Sequence, residues 1–135
     1  MRDRSVRAAI MRVIRPLHAA ILVGDLERSA HFYGEVLGLT PARDRALGFA
    51  GLWYELGDFQ IHLIVSAQIC PDPVDAQRLG RNRHLALAVD DLLAARDRLE
   101  KAGFPVQASA SGRAAFFVQD PDGNILELGE VPYGK

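Results

Sequence analysis

The sequence predicts an α+β fold built from two βαβββ modules in a single domain. An internal repeat is the first observation behind this: His18-Ala-Ala-Ile-Leu-Val-Gly-Asp25-Leu26 recurs 66 residues later as His84-Leu-Ala-Leu-Ala-Val-Asp-Asp91-Leu92. The second is local pattern. In each half a β-rich run leads to an Asp, a helix-period segment and then further strand signals. The third is size: 135 residues at 49% apolar and 24% charged suffice for one globular core but not for two.

Taken in order, residues 1–12 read as a flexible arm, because five arginines lie between Arg2 and Arg15 around short apolar residues without a long hydrophobic stretch. A domain over 13–135 follows, divided into module one (13–66), a linker (67–82) and module two (83–135). Asp25 and Asp91 stand where N-caps belong, since an Asp oxygen accepts from the free amides of a first helical turn. The first helix is expected to run to about Val36 and stop at Gly38, with Leu26, Ala30, Tyr33 and Leu37 on its core face. The second is expected to run to about Ala102 and stop at Gly103, with Pro105 just beyond. Leu52 to Leu56 and Phe59 to Val65 flank Gly57-Asp58, a two-residue hairpin turn. Ala114 to Gln119 and Ile125 to Leu128 flank Asp120-Pro121-Asp122-Gly123, a type I turn closed by a glycine at positive φ. Shorter strands are expected near Thr40–Arg43 and Val106–Ser109. The linker, with Pro71, Pro73 and Gly80, reads as a loop, and neither module alone has core enough to fold.

Composition narrows the function. A formal charge of -1 argues against a nucleic-acid footprint, and no apolar run reaches the length of a membrane span. One cysteine, Cys70, excludes a disulfide framework and points to a reducing, cytoplasmic compartment. A small-molecule substrate is the partner these features favour.

The residues that carry chemistry come from the repeat. His18 and His84 are equivalent on the first strands of the two modules; His62 and Glu127 lie on the last strands. Strand parity puts Phe59, Ile61, Leu63 and Val65 on the helix-covered face, so His62 points away from it. By the same alternation His18 leaves that face with Ala20, His84 with Ala86 and Ala88, and Glu127 opposite Leu126 and Leu128. Three imidazoles and a carboxylate, with no thiolate, suit Zn, Ni, Co, Fe or Mn. His31 reads as a helix-surface group.

These stretches resemble the vicinal oxygen chelate superfamily, which includes glyoxalase I, extradiol dioxygenases, methylmalonyl-CoA epimerase, and fosfomycin- and bleomycin-resistance proteins. The resemblance rests on Leu17-His18, on Ser29-Ala-His-Phe32-Tyr33-Gly-Glu-Val-Leu37-Gly38-Leu39, on Ile61-His62-Leu63, on His84 to Asp91, and on Phe117-Val-Gln-Asp120-Pro121-Asp122-Gly123-Asn124-Ile-Leu-Glu127-Leu128. It implies an open, barrel-like mixed sheet around a metal and substrate cavity, with His18, His62, His84 and Glu127 on the family's four ligand positions. His62 departs from the pattern, since glyoxalase I usually has Glu there and the epimerase Gln.

Within the family, the resemblance implies a glyoxalase I-like lyase or isomerase that works through an enediolate, Glu127 being the base. A divalent ion with one carboxylate ligand keeps a charge of +1, which favours such an anion. The alternatives are an extradiol-type dioxygenase, or an antibiotic-resistance transferase or drug-binding protein of the same fold. Four protein ligands leave two positions on a six-coordinate ion, one short of what catecholate and oxygen need. Bleomycin-resistance proteins typically lack the ligand set. Arg113, Phe117 and Trp53 are candidate substrate-binding residues, Trp53 opposite His62 and Phe117 opposite Glu127 if the two turns pair as expected. A homodimer is expected, its sites either within one chain or shared between chains.

Overall fold

The computed structural model describes residues 10–43, 50–69 and 75–130; Cys70 and most of the 1–12 arm lie outside the described residues. Strand β1 (His18–Val23) ends at Gly24, and Asp25 caps helix α1 by accepting from the Arg28 amide at 3.2 Å. Helix α1 begins as α-turns over Leu26–Ala30 and widens to π-turns over His31–Val36. There the Leu37 amide reaches the Phe32 carbonyl at 2.9 Å, and Gly38, at φ +74, stops the chain. Apolar spacing predicts one helix to Val36 and cannot announce a change of pitch within it. The wider turns bury Phe32, Tyr33 and Val36 together.

Strands β2 (Thr40–Pro41), β3 (Gly51–Leu56) and β4 (Phe59–Val65) complete the first sheet in the order β1-β4-β3-β2, with β1 parallel to β4. Strand β2 is shorter than the expected Thr40–Arg43. The linker is not wholly irregular, since among its described residues it carries a 3-10 turn over Leu79–Arg81. Strand β5 (Leu85–Val89) then leads to Asp91, which caps helix α2 (Leu92–Lys101) through the Ala94 amide at 3.0 Å. Strands β6 (Val106–Ala108), β7 (Ala115–Gln119) and β8 (Ile125–Glu130) repeat the first sheet's order as β5-β8-β7-β6. The two sheets are open, each a mixed four-stranded layer, and the α+β class stands.

The period-2 pattern works as read: Ile61, Leu63, Leu126 and Leu128 are buried against the helices. They merge with Phe32, Tyr33, Leu99 and Val118 into one cluster drawn from both modules. Each such side chain contributes about 1.5–3 kcal/mol relative to exposure. Polar contacts fix how the modules meet. The Tyr33 hydroxyl donates to Asp120 Oδ2 at 2.8 Å, the Gly24 amide to Asp122 Oδ1 at 3.1 Å, and Asn124 Nδ2 to the Leu22 carbonyl at 3.0 Å. On α2, Arg98 donates to the carbonyls of Glu35 and Val36, both at 2.6 Å. The Asp120–Asn124 turn therefore does more than reverse the chain: it docks module two onto the end of β1.

Since the helix-bearing faces supply this shared core, the opposite sheet faces point outward. His18, Ala20 and Leu22 on β1 are exposed, as are Ala86 and Ala88 on β5 with His84 just before it.

Candidate functional site

Register brings the expected residues into two groups. On the first sheet Ala20, His62 and Trp53 lie in one cross-strand row. The rings of Trp53 and His62 stack at 4.0 Å, and His18 stacks on the other side of His62 at 4.1 Å. Trp53 is thus stacked on His62 rather than packed in the core cluster. His62 Nε2 also pairs with Gln60 Oε1 at 2.8 Å. On the second sheet Ala86, Glu127 and Phe117 form the equivalent row. Glu127 is only 2% exposed, and its Oε1 stands 3.1 Å from His84 Nε2. Phe117 meets His84 edge to face at 5.2 Å.

Arg113 donates from Nη2 to Glu127 Oε2 at 3.2 Å while its Nε donates to Ser111 Oγ at 3.1 Å. It sits in the site, on Glu127 itself. His31 is exposed and pairs with Glu35 on α1, as a surface residue does.

The second group has the chemistry of a cation site. His84 Nδ1 lies 2.7 Å from the Asn82 carbonyl, which can only accept, so Nδ1 carries a proton. In neutral imidazole this leaves a lone pair on Nε2, facing a carboxylate oxygen. That pairing calls for a cation, either a proton on Nε2 or a metal ion bound by both groups. The first group adds two imidazoles in ring contact on an open face. Among the described residues of one chain, however, no three His, Cys, Asp or Glu side chains are placed to hold a metal ion. The donors come as two pairs, one per sheet.

A family model described as Glyoxalase/Bleomycin resistance protein/Dioxygenase superfamily matches residues 15–128. The chain belongs to this superfamily. Its glyoxalase-type relatives include the lactoylglutathione lyase of Escherichia coli O157:H7, 34% identical over 128 residues that cover 85% of this chain and 91% of the relative. The lactoylglutathione lyase of Salmonella typhimurium is 32% identical over 131 residues, covering 87% and 93%. A crystal structure of a glyoxalase family protein from Bacillus anthracis superposes with a TM-score of 0.70 at 25% identity, over 96% of this chain and 98% of that one. This superfamily member is a lactoylglutathione lyase-like enzyme. Among its described residues no helix is long and apolar enough to cross a membrane.

Sequence reasoning missed Gln60 and Asn82. Strand parity already placed Gln60 on the His62 face, two residues away, which is signal enough for a side-chain partner. Asn82 had no such signal, because its hold on His84 runs through its backbone carbonyl.

Proposed function

We propose that the protein is a divalent-metal-dependent, glyoxalase I-like lyase acting on a small oxygen-chelating substrate, and that it works as a homodimer with sites shared between chains. The observation that carries this is the separation of the donors into two pairs, His18 with His62 and His84 with Glu127, one on each sheet. A second copy brings the first pair of one chain over the second pair of the other. It also covers Leu22, 44% exposed beside Ala20, and the small Ala86 and Ala88. His18, His62, His84 and Glu127 are the residues that would hold the ion, whether Zn, Ni, Co, Fe or Mn. Bound there, the ion supplies Lewis-acid polarisation of the substrate oxygens.

The chain's own groups do the rest. Glu127 takes a proton from the hydroxyl-bearing carbon beside the substrate carbonyl and returns it to the former carbonyl carbon, while the hydroxyl proton passes to the former carbonyl oxygen. Arg113 fixes Oε2, leaving Oε1 on the His84 side as the mobile proton acceptor. Trp53 and Phe117 wall the two halves of the site and exclude water. The relatives named lactoylglutathione lyase support an isomerising lyase over the dioxygenase and drug-binding readings.

Complementation tests this reading. His18→Ala and Glu127→Ala chains, each inactive alone, are mixed under subunit exchange with added metal and assayed for hemithioacetal isomerisation. A mixed pair has one site with both lesions and one with neither, so activity should return. No recovery, or an active monomer at micromolar concentration, overturns the shared site. Metal analysis of untagged protein should find one ion per chain, lost in His84→Ala.

A further inference from the structure

Arg113 reaches Glu127 from the loop between β6 and β7, and that loop is shaped around the arginine. Gly112 takes φ +79, a left-handed turn that sets the flanking Ser111 and Arg113 against each other. The Ser109 amide donates to the Ala115 carbonyl at 3.0 Å and closes the loop at its base. Within the loop, Ser111 Oγ accepts from Arg113 Nε at 3.1 Å and from the Arg113 amide at 3.4 Å. A hydroxyl has two lone pairs and one proton. Arg113 takes both lone pairs, so the proton goes to Ser109 Oγ, 2.8 Å away.

This arrangement divides the guanidinium. Nε and the neighbouring Nη2 form one edge of the group, an edge that can clasp both oxygens of a carboxylate at once. Here the edge is split between two acceptors. Nε goes to Ser111, and Nη2 goes to Glu127 Oε2 at 3.2 Å. The other carboxylate oxygen, Oε1, stands 3.1 Å from His84 Nε2. A buried carboxylate is a stronger acceptor than a hydroxyl, and bidentate pairing is common where arginine meets one. An Nε with no hydroxyl to hold it would therefore turn to Glu127.

We propose that Ser111 is a positioning residue that acts through Arg113: by holding Nε it keeps the guanidinium on Oε2 and leaves Oε1 facing His84 for proton transfer. This rests on the reading of Glu127 as the base. The loop between β6 and β7 thereby sets how much of the carboxylate the arginine claims. Loss of the hydroxyl clamps the base with two hydrogen bonds instead of releasing it.

The first arm of the test uses the full-length protein in chelator, with the arginine Nε–H groups resolved by proton–nitrogen NMR. In Ser111→Ala the Arg113 Nε proton should move downfield, because its acceptor changes from a hydroxyl to a carboxylate. Adding Glu127→Gln should abolish that move, and Ser111→Thr, which keeps the hydroxyl, should retain the wild-type signal. A signal in Ser111→Ala that is unshifted, or lost to exchange with water, overturns the proposal. The second arm is kinetic, with added metal. Ser111→Ala should lower kcat for hemithioacetal isomerisation about tenfold and leave KM within about twofold, since only the base is disturbed. Lysine has no fork to close, so Ser111→Ala/Arg113→Lys should turn over as fast as Arg113→Lys alone. An unchanged kcat in Ser111→Ala, or losses that simply add in the double variant, overturns the proposal. A wild type that isomerises no hemithioacetal fails the lyase reading instead, and the NMR comparison then decides the role of Ser111 by itself.

Discussion

Glu127 shows how one residue's role depends on its neighbours. A carboxylate at 2% exposure is costly unless paired; here Arg113 donates to Oε2, and Oε1 stands 3.1 Å from His84 Nε2. Replacing it with glutamine keeps shape and the acceptor oxygen but removes both charge and basicity. A positioned general base contributes roughly 10²–10⁴-fold in rate. Glu127→Gln should therefore lower kcat by that order while binding of an enediolate analogue changes by less, as read from steady-state kinetics and analogue inhibition. Undiminished kcat would remove Glu127 from proton transfer. Arg113 illustrates a limit of reading residues singly: a strand-end arginine could have met solvent or a substrate anion, yet it meets the buried Glu127 carboxylate.

The helices are where local rules carried furthest. Asp25 and Asp91 cap through the amides three residues on, and the stops at Gly38 and Gly103 take positive φ, +74 and +91. Asp91→Ala should destabilise the fold by about 1 kcal/mol, within the roughly 0.5–2 kcal/mol range for cap loss, seen as a lower urea midpoint with an unchanged m value. An unchanged midpoint would mean that packing of Leu99, not the cap, sets the start of α2. The π-turns of α1 were not legible, because an i→i−5 bond changes no residue type; it suits the burial of Phe32, Tyr33 and Val36 in the common core.

The whole molecule is joined through Tyr33 and Asp120, and this contact has a pH signature. Burial raises the Tyr33 hydroxyl well above its ordinary value near 10, and the charge of Asp120 adds to the effect. Burial likewise raises Asp120, although hydrogen bonds from Asn124 and Tyr33 oppose the shift. A folded-state pKa that is raised means stability present below the unfolded value and lost as pH rises through the folded one. For Tyr33 that loss begins near pH 10 and continues above it. The wild-type urea midpoint should fall between pH 8 and pH 11. Tyr33→Phe should start lower at pH 8, by about 1.5–3 kcal/mol for a lost hydrogen bond to a charged group, and fall less over the same interval. Parallel falls in both proteins would show that Tyr33 does not couple the modules to pH.

What the sequence determined by itself is everything with a short period. Repeat-equivalent spacing found His18 and His84, and alternation turned His62 and Glu127 away from the helices. Turn chemistry set the rows that put Trp53 opposite His62 and Phe117 opposite Glu127. These follow from backbone geometry within one strand or hairpin, which neighbouring residues fix. Only the tertiary structure decided that the four candidate ligands divide into two pairs, one per sheet, and that Arg113 sits on Glu127. Those relations depend on how two modules, far apart in sequence, share one core. Their packing is set by Tyr33 against Asp120, Arg98 against the end of α1, and Leu22 against Asn124. No local period encodes such contacts, because each depends on bringing together groups that the chain separates by more than 60 residues.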